Sequence, residues 1–434
     1  MTIGLAIAVL FATFFVLLFL GLPISVSIGV SSIATTLFFL PWDQATFIVM
    51  QKMNNGIDSF NLIAIPLFVL AGNIMNNGGI ARRLIRFAQL VVGRIPGSLV
   101  QTNILGNMLF GALSGSAVAA AAAIGGTLSP LEKEEGYDPA FSAAANISSA
   151  PTGLLIPPTA AFIVYSTIAG GVSISALFMA GLFPGILMGV VSMVIAFVYA
   201  KRHNYPTSPK VPIKERAKIT LDAIPSLLLI IIVIGGIVAG IFTATEGAGI
   251  AVFYCLILSL IYRSLNAKNF MDILLKSTAT TGIILFLISA STAMSWVMSY
   301  TGIPTAISEG MLSLSENPLV IFLMMNVILL VVGMFIDITP AILIFTPIFL
   351  PIATSLGMDP IHFGVVLVFN MCLGTMTPPV GSVLFVGAGV GNVSLEKVIP
   401  RLLPYIFGII AMLLLVTYLP TISMWLPGLM GLLS

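Results

Sequence analysis

Apolar runs separated by short polar connections dominate the chain. Residues 95–131, 139–200 and 360–395 contain no Asp, Glu, Lys or Arg. A spanning helix needs roughly 20 apolar residues, and the pattern predicts helices over about 3–20, 22–40, 60–76, 172–200, 222–244, 246–262, 277–299 and 398–425. Two more stretches are interrupted near their middle. Residues 98–131 carry Gly111, Ser114, Gly115 and Ser116 at the break, and residues 318–355 carry Gly333, Asp337, Thr339 and Pro340. The arms on either side are too short to cross comfortably. Each stretch therefore predicts a re-entrant hairpin with its tip at membrane depth, with one long kinked helix as the alternative. Irregular backbone at that depth is tolerated only inside protein or along a cavity.

The interruptions recur. Gly136, Asp138, Pro139, Gly153, Pro157 and Pro158 return 221 positions later as Gly357, Asp359, Pro360, Gly374, Pro378 and Pro379. Sliding residues 130–173 onto 351–394 gives ten identities, eight of them Gly, Pro or Asp. The chain is thus a duplication whose repeated feature is interrupted hydrophobic helix, and in membrane proteins that combination points first to secondary transporters.

Composition leaves little room for a soluble protein: 59% of residues are hydrophobic, 7% are charged, and the mean hydropathy is +1.15. About ten spans or broken spans fit in 434 residues. The net charge of +2 does not imply nucleic acid, because the basic residues sit in short connections. Cys255 and Cys372 lie in apolar segments and suggest neither a disulfide framework nor a metal cluster. Met1 to Leu20 lacks the positive leader of a cleaved signal peptide and reads as a retained span.

Charge placement sets the topology. Basic clusters at Arg82, Arg83, Arg86 and Arg94, at Lys201 to Lys218, and at Arg263, Lys268 and Lys276 belong on the cytoplasmic side by the positive-inside rule. The second-half segment matching the first cluster, 301–317, has Glu309 and Glu316 and no Lys or Arg. The repeats therefore run through the membrane in opposite directions, with 201–218 as the cytoplasmic linker. Glu132, Glu134 and Glu135 also come out cytoplasmic, a discord that weighs little because acidic residues count little in the rule. The basic amphipathic stretch Ile80–Gly93 reads as an interfacial arm.

Asp337 is the only charged residue between Glu316 and Asp359. At a helix centre it would cost roughly 2.5–3.5 kcal/mol, so it belongs at a break, either as a ligand or as a helix cap. Glu246 is likewise isolated but follows Thr243 and Thr245, and carries little functional weight. The paired prolines have a chemical consequence. Pro157 and Pro158 lack amide hydrogens, which frees the carbonyls of Gly153 and Leu154; Pro378 and Pro379 do the same to Gly374 and Thr375. Such oxygens are hard ligands suited to an alkali cation, and the hydroxyls of Ser114, Ser116, Thr375 and Thr377 can complete the sites. Helix N-termini at the breaks meanwhile favour an anion. The bland alternative is that proline kinks only shape packing. Nothing marks an enzyme: there is no Gly-x-x-x-x-Gly-Lys loop, and the only histidines, His203 and His362, fall in the linker and at a helix start.

The run from Phe110 through Ser114 and Ser116 to Ala119, the Gly136-to-Pro158 stretch, and Gly333 to Asp337 followed by Thr377 to Gly381 closely resemble the large membrane subunit of TRAP transporters, over nearly the whole chain. The resemblance implies an all-α polytopic membrane protein of inverted repeats, with two re-entrant hairpins and two broken helices, divided into a scaffold and an elevator-like transport domain. It implies no catalytic residue. One Na⁺ site is expected from Gly111, Ser114, Gly153, Ile156 and Pro157, a second from Gly333, Gly374 and Thr377, and substrate contacts from Ser116, Asp337 and Thr375. Ala117 stands where many relatives have another Ser, which removes one hydroxyl. On this basis residues 1–97 form the first scaffold portion with its arm, 98–171 the first transport repeat, 172–317 the linker and second scaffold portion, 318–395 the second transport repeat, and 396–434 a C-terminal helix. The implied function is Na⁺-coupled import of a small organic anion (a C4-dicarboxylate, a sialic acid, or another sugar or keto acid) across a bacterial or archaeal inner membrane. The implied partners are a periplasmic substrate-binding protein and a small four-helix membrane subunit, the latter expected as a separate polypeptide because the chain begins close to its first span. The rival functions are a binding-protein-independent Na⁺/organic-anion symporter of similar architecture and an anion channel.

Overall fold

The computed structural model describes residues 3–77 and 79–433. Every regular element among them is helical. The first half runs α1 (Ile3–Phe19), α2 (Ile24–Thr36), α3 (Trp42–Ile57), α4 (Ala64–Asn77), α5 (Ile80–Val92), α6 (Ser98–Ser114), α7 (Ala117–Glu134), α8 (Pro139–Ser149), α9 (Ala160–Ile168) and α10 (Ile174–Arg202). The second half runs α11 (Ile213–Val238), α12 (Ala244–Ile261), α13 (Ala267–Thr301), α14 (Ile303–Leu314), α15 (Pro318–Gly333), α16 (Ile338–Ser355), α17 (Pro360–Met376), α18 (Ser382–Gly391), α19 (Leu395–Tyr418) and α20 (Thr421–Leu429). Among the described residues six helices are long and apolar enough to cross a membrane unaided, and α3 and α4, bent by 63°, form a broken span or a re-entrant loop.

Both interrupted stretches fold back on themselves. Ser114 ends α6, Gly115 takes a left-handed conformation (φ 61°), and the Ser116 hydroxyl accepts from the Ala119 amide to start α7. Asn103 near the base of α6 then donates to Glu132 near the end of α7 at 3.2 Å, which only an antiparallel pair allows. In the second half α15 runs alongside α17, touching it at Asn326–Asn370 and Gly333–Gly374, while α16 returns between them in sequence. In each half two helices meet at the break, α6 with α7 and α15 with α16. Glu132 is fully buried in this packing, so it is not one of the solvent charges that conflicted with the topology.

The two halves interlock head to tail. The α19 helix has 24 residues and is therefore about 36 Å long. Near its start Arg401 pairs with Asp138 at 2.9 Å, beside the base of the first hairpin. At its far end Thr417 accepts from Asn326, and the Tyr418 hydroxyl donates to the Leu319 carbonyl, beside the base of the second. The hairpins therefore open toward opposite faces. Similarly, the Tyr165 hydroxyl at the end of α9 donates to the Pro360 carbonyl at the start of α17 at 2.5 Å, and Gly391 at the end of α18 packs on Ala143 of α8.

Several boundaries differ from the pattern-based expectation. Residues 42–57 form α3, a helix unassigned from hydropathy because Gln44, Gln51, Lys52, Asn54 and Asn55 dilute its apolar face. It packs on α13, where the Ser289 hydroxyl donates to the Met53 carbonyl. Segment 301–317 holds the amphipathic α14, opposite number of the arm helix α5. The expected helix 398–425 is divided at Pro420. Two isolated polar residues have structural partners: Glu246 closes a capping box with Thr243, and buried His362 meets Ser423 (2.6 Å) and the Thr417 carbonyl (3.2 Å).

Candidate functional site

Each break is built around a pair of touching glycines. A Cβ placed on Gly111 of α6 would stand 2.7 Å from the Cα of Gly153, and one on Gly333 of α15 would stand 3.2 Å from the Cα of Gly374. Hairpin tip and broken helix thus meet backbone to backbone in both repeats, a proximity that a side chain at any of the four positions would disturb. Both Pro–Pro bonds, Pro157–Pro158 and Pro378–Pro379, are cis.

The fate of the freed carbonyls differs between repeats. After Gly153 the chain turns so that the Leu155 and Ile156 amides both donate to Thr152. No described donor takes the Gly153 carbonyl. The expectation for Gly374 needs correction: its carbonyl accepts from the Thr377 amide at 3.0 Å, because the chain tightens by one residue before the prolines. One lone pair on that oxygen is still available. The Thr377 hydroxyl donates to the Leu373 carbonyl at 2.6 Å, which leaves its own lone pairs free. Ile156 packs against Gly185 of α10. Among the described residues no group of three or more His, Cys, Asp or Glu could hold a metal.

A cavity of about 530 Å³ lies in front of these breaks. Ser114 and Ser116 from the first hairpin tip, Asp337 from the second, and Thr375 from the second broken helix all line it. Gly111, Gly153, Gly333 and Gly374 form the two contacts behind. Thr375 also donates its hydroxyl to the Cys372 carbonyl at 2.8 Å. Asp337 occupies the N-cap position of α16 but makes no side-chain capping bond; its carboxylate is exposed to the cavity. The other wall comes from α2, α4 and α13, including Asn73, Asn76 and Thr280. These three polar residues were not singled out from sequence, since a lone Asn or Thr in a helix carries no periodic signal.

Helix ends give the cavity its field. The first residues of five helices line it: Ile24 of α2, Ala117 of α7, Ala160 of α9, Ile338 of α16 and Ser382 of α18; Ser114, which ends α6, and Thr375, in the last turn of α17, line it too. Each N-terminus carries roughly +0.5 elementary charge. Such ends suit an anion, an effect offset in part by the opposite partial charges where α6 and α17 end on the same cavity and by the carboxylate of Asp337. The repeats are not equivalent. Ser116 caps α7 and Thr159 caps α9, whereas α16 and α18 have no side-chain cap. The free amides of the second repeat are the better anion donors.

Behind the cavity, asparagines clamp hairpins to broken helices. Asn107 Nδ2 of α6 lies 2.9 Å from Asn146 Oδ1 of α8 and 2.9 Å from Ser149 Oγ, and Asn370 of α17 donates to Asn326 of α15 at 2.7 Å. Buried amides in apolar surroundings are costly unless paired, so these contacts specify how each hairpin seats.

Comparison with known proteins agrees with this architecture. The chain is 53% identical to an uncharacterised protein, YgiK, of Salmonella typhimurium, over 98% of this chain and 97% of that one. It is 36% identical to the sialic acid TRAP transporter large permease protein SiaM of Vibrio cholerae, over 95% and 96%. The solved structure of the Alcanivorax borkumensis YdaH transporter shares the fold, with a TM-score of 0.62 at 14% identity over 87% of this chain and 88% of that one. Residues 11–422 match the family described as the DctM component of tripartite ATP-independent periplasmic transporters, and the chain belongs to that family: a multi-pass transport permease of the inner membrane, not an enzyme.

Proposed function

We propose that this chain imports a small organic anion together with Na⁺, receiving the anion from a periplasmic binding protein and working beside a small membrane subunit. The observation that carries this reading is the convergence of five helix N-termini on one cavity whose only carboxylate, among the described residues, is Asp337. A carboxylic acid such as the sialic acid named for the Vibrio cholerae relative suits that field. Ser116, Asp337 and Thr375 face the substrate. One Na⁺ is held by oxygens around Gly111, Ser114, Gly153, Ile156 and Pro157, and another by main-chain oxygens around Gly333 and Gly374 together with the Thr377 hydroxyl. The reciprocal glycine contacts support this assignment, because they gather backbone oxygens from two elements at one point.

The transport step is an elevator-like displacement of the hairpins and broken helices against the remaining helices. Asn73 and Asn76 lie in the last turns of α4, which leads into the basic arm helix α5, and this supports reading the cavity as open to the cytoplasm. Each charge moved through 100 mV releases roughly 2.3 kcal/mol, so two Na⁺ with a monoanion are driven inward by an interior-negative potential. Proteoliposomes test the reading. Uptake that requires both binding protein and an inward Na⁺ gradient supports it. Uptake by this chain alone would identify a binding-protein-independent symporter, and passive flux at channel rates would reject coupling altogether.

A further inference from the structure

A second cavity, of about 350 Å³, shares no lining residue with the transport site and lies at the cytoplasmic face, between α5, the 203–212 connection and α11. Arg86, Arg94, Lys210 and Arg216 line it, with Glu215 as its one acidic residue. Among the described residues the ion pair formed is Arg401–Asp138, so none of these four cations is neutralised by a salt bridge. The pocket is held in shape by its own framework. Ile80, Leu84, Ile85, Ala88 and Val92 are buried and pin α5 to the protein. The Ser208 amide donates to the Gly93 carbonyl at 2.8 Å, and the Gln89 amide reaches the Ser208 hydroxyl at 3.4 Å. Arg216 spends its Nε on the Val211 carbonyl at 2.8 Å, which fixes the guanidinium while its remaining N–H donors are free to meet a ligand.

Four unpaired cations gathered by a preformed cavity select an anion with several acceptor oxygens, and arginine forks match phosphate geometry. The walls identify which phosphate. Leu90 and Ile219 line the same pocket, while Ile213 at the start of α11 is exposed. A basic cavity opening onto apolar helix surface at the cytoplasmic interface fits a ligand that is charged at one end and hydrocarbon at the other. We propose that this pocket binds the headgroup of an anionic glycerophospholipid and anchors the arm helix α5 to the inner leaflet.

Native mass spectrometry of the purified full chain tests this, with cardiolipin, phosphatidylglycerol, phosphatidylethanolamine and inorganic phosphate as separate titrants. Cardiolipin and phosphatidylglycerol are expected to stay bound under conditions that strip phosphatidylethanolamine. The double variant Arg86→Gln/Arg94→Gln is expected to bind them about 25-fold more weakly, from about fivefold per removed cation. Arg86→Lys/Arg94→Lys keeps the charge and retains most of the binding, which separates the site from a folding defect. Lys268→Gln removes a cation from the same membrane face but outside the pocket, and is expected to change binding less than about twofold. Equal retention by the double Gln variant, an equal loss in Lys268→Gln, or phosphatidylethanolamine binding as tightly would overturn the proposal. Displacement of cardiolipin by inorganic phosphate at matching concentration would overturn it too, by reassigning the pocket to a soluble anion.

Discussion

Gly374 of α17 lies against Gly333 of α15 so closely that a Cβ on Gly374 would stand 2.6 Å from the Gly333 Cα, and Gly111 with Gly153 repeats the arrangement in the other half. The obstructing atoms are main chain on both sides, so no rotamer change relieves them. Gly374→Ala and Gly153→Ala are expected to cost at least about 1–3 kcal/mol of stability and to abolish uptake. Gly249 of α12 faces open space, with nothing within 4 Å of the place a Cβ would take. Gly249→Ala is expected to be neutral or to gain up to about 1 kcal/mol from helix propensity. Thermal unfolding of the purified variants compares them; a Gly374→Ala protein as stable as the parent would refute the contact.

Asn107 supplies the next prediction. Its amide meets Asn103, Asn146 and Ser149 within 3.0 Å inside an apolar bundle. Asn107→Leu leaves the Asn146 and Asn103 oxygens without that donor, which costs about 1–3 kcal/mol. Asn326→Leu in the second repeat is expected to behave alike, since Asn370 then loses its acceptor at 2.7 Å. A double substitution, Asn326→Leu/Asn370→Leu, removes both unmatched groups and is expected to be less damaging than the sum of its parts. Additive losses in a thermal-unfolding cycle would show that the two amides do not interact.

Much of this arrangement was legible in the chain because its signals are local. Gly115, Asp138, Asp359 and the paired prolines act within a turn of their own position, so duplication and breaks could be read directly. α3 and α14 escaped because an amphipathic helix looks too polar for a span and too regular for a loop. The asparagine clamps join residues 39 and 44 positions apart, and nothing in a single sequence pairs Asn107 with Asn146 or Asn326 with Asn370. The Gly374 carbonyl shows a subtler limit: proline removes the usual donor, but the Thr377 amide one residue earlier replaces it. Which helix ends face one cavity is a tertiary fact with no local trace.

Thr377 tests the proposed second Na⁺ site. Valine keeps its shape but removes the hydroxyl that now donates to Leu373 at 2.6 Å. Losing one oxygen ligand is expected to raise the Na⁺ concentration for half-maximal uptake about tenfold, equivalent to about 1.4 kcal/mol. Membrane insertion and the yield of folded protein are expected to be unchanged. An unaltered Na⁺ titration would remove Thr377 from the site without affecting the anion assignment.

Asp337 decides between packing and transport. It sits at the N-cap position of α16 yet caps nothing, so Asp337→Asn is expected to shift stability by less than about 0.5 kcal/mol. Its effect on the cavity is larger. Asp337 is the carboxylate among the described residues that line the cavity, so Asn makes the cavity more positive by one charge whatever the helix ends sum to. Without the carboxylate the cavity holds its anion more tightly and releases it more slowly. Half-saturating substrate concentration and maximal uptake rate are both expected to fall, the rate by about tenfold for each 1.4 kcal/mol of added hold. Uptake kinetics in proteoliposomes read both quantities. Parental kinetics in the Asn variant would make Asp337 a bystander at the break, and a raised half-saturation would reverse the sign of the electrostatic balance.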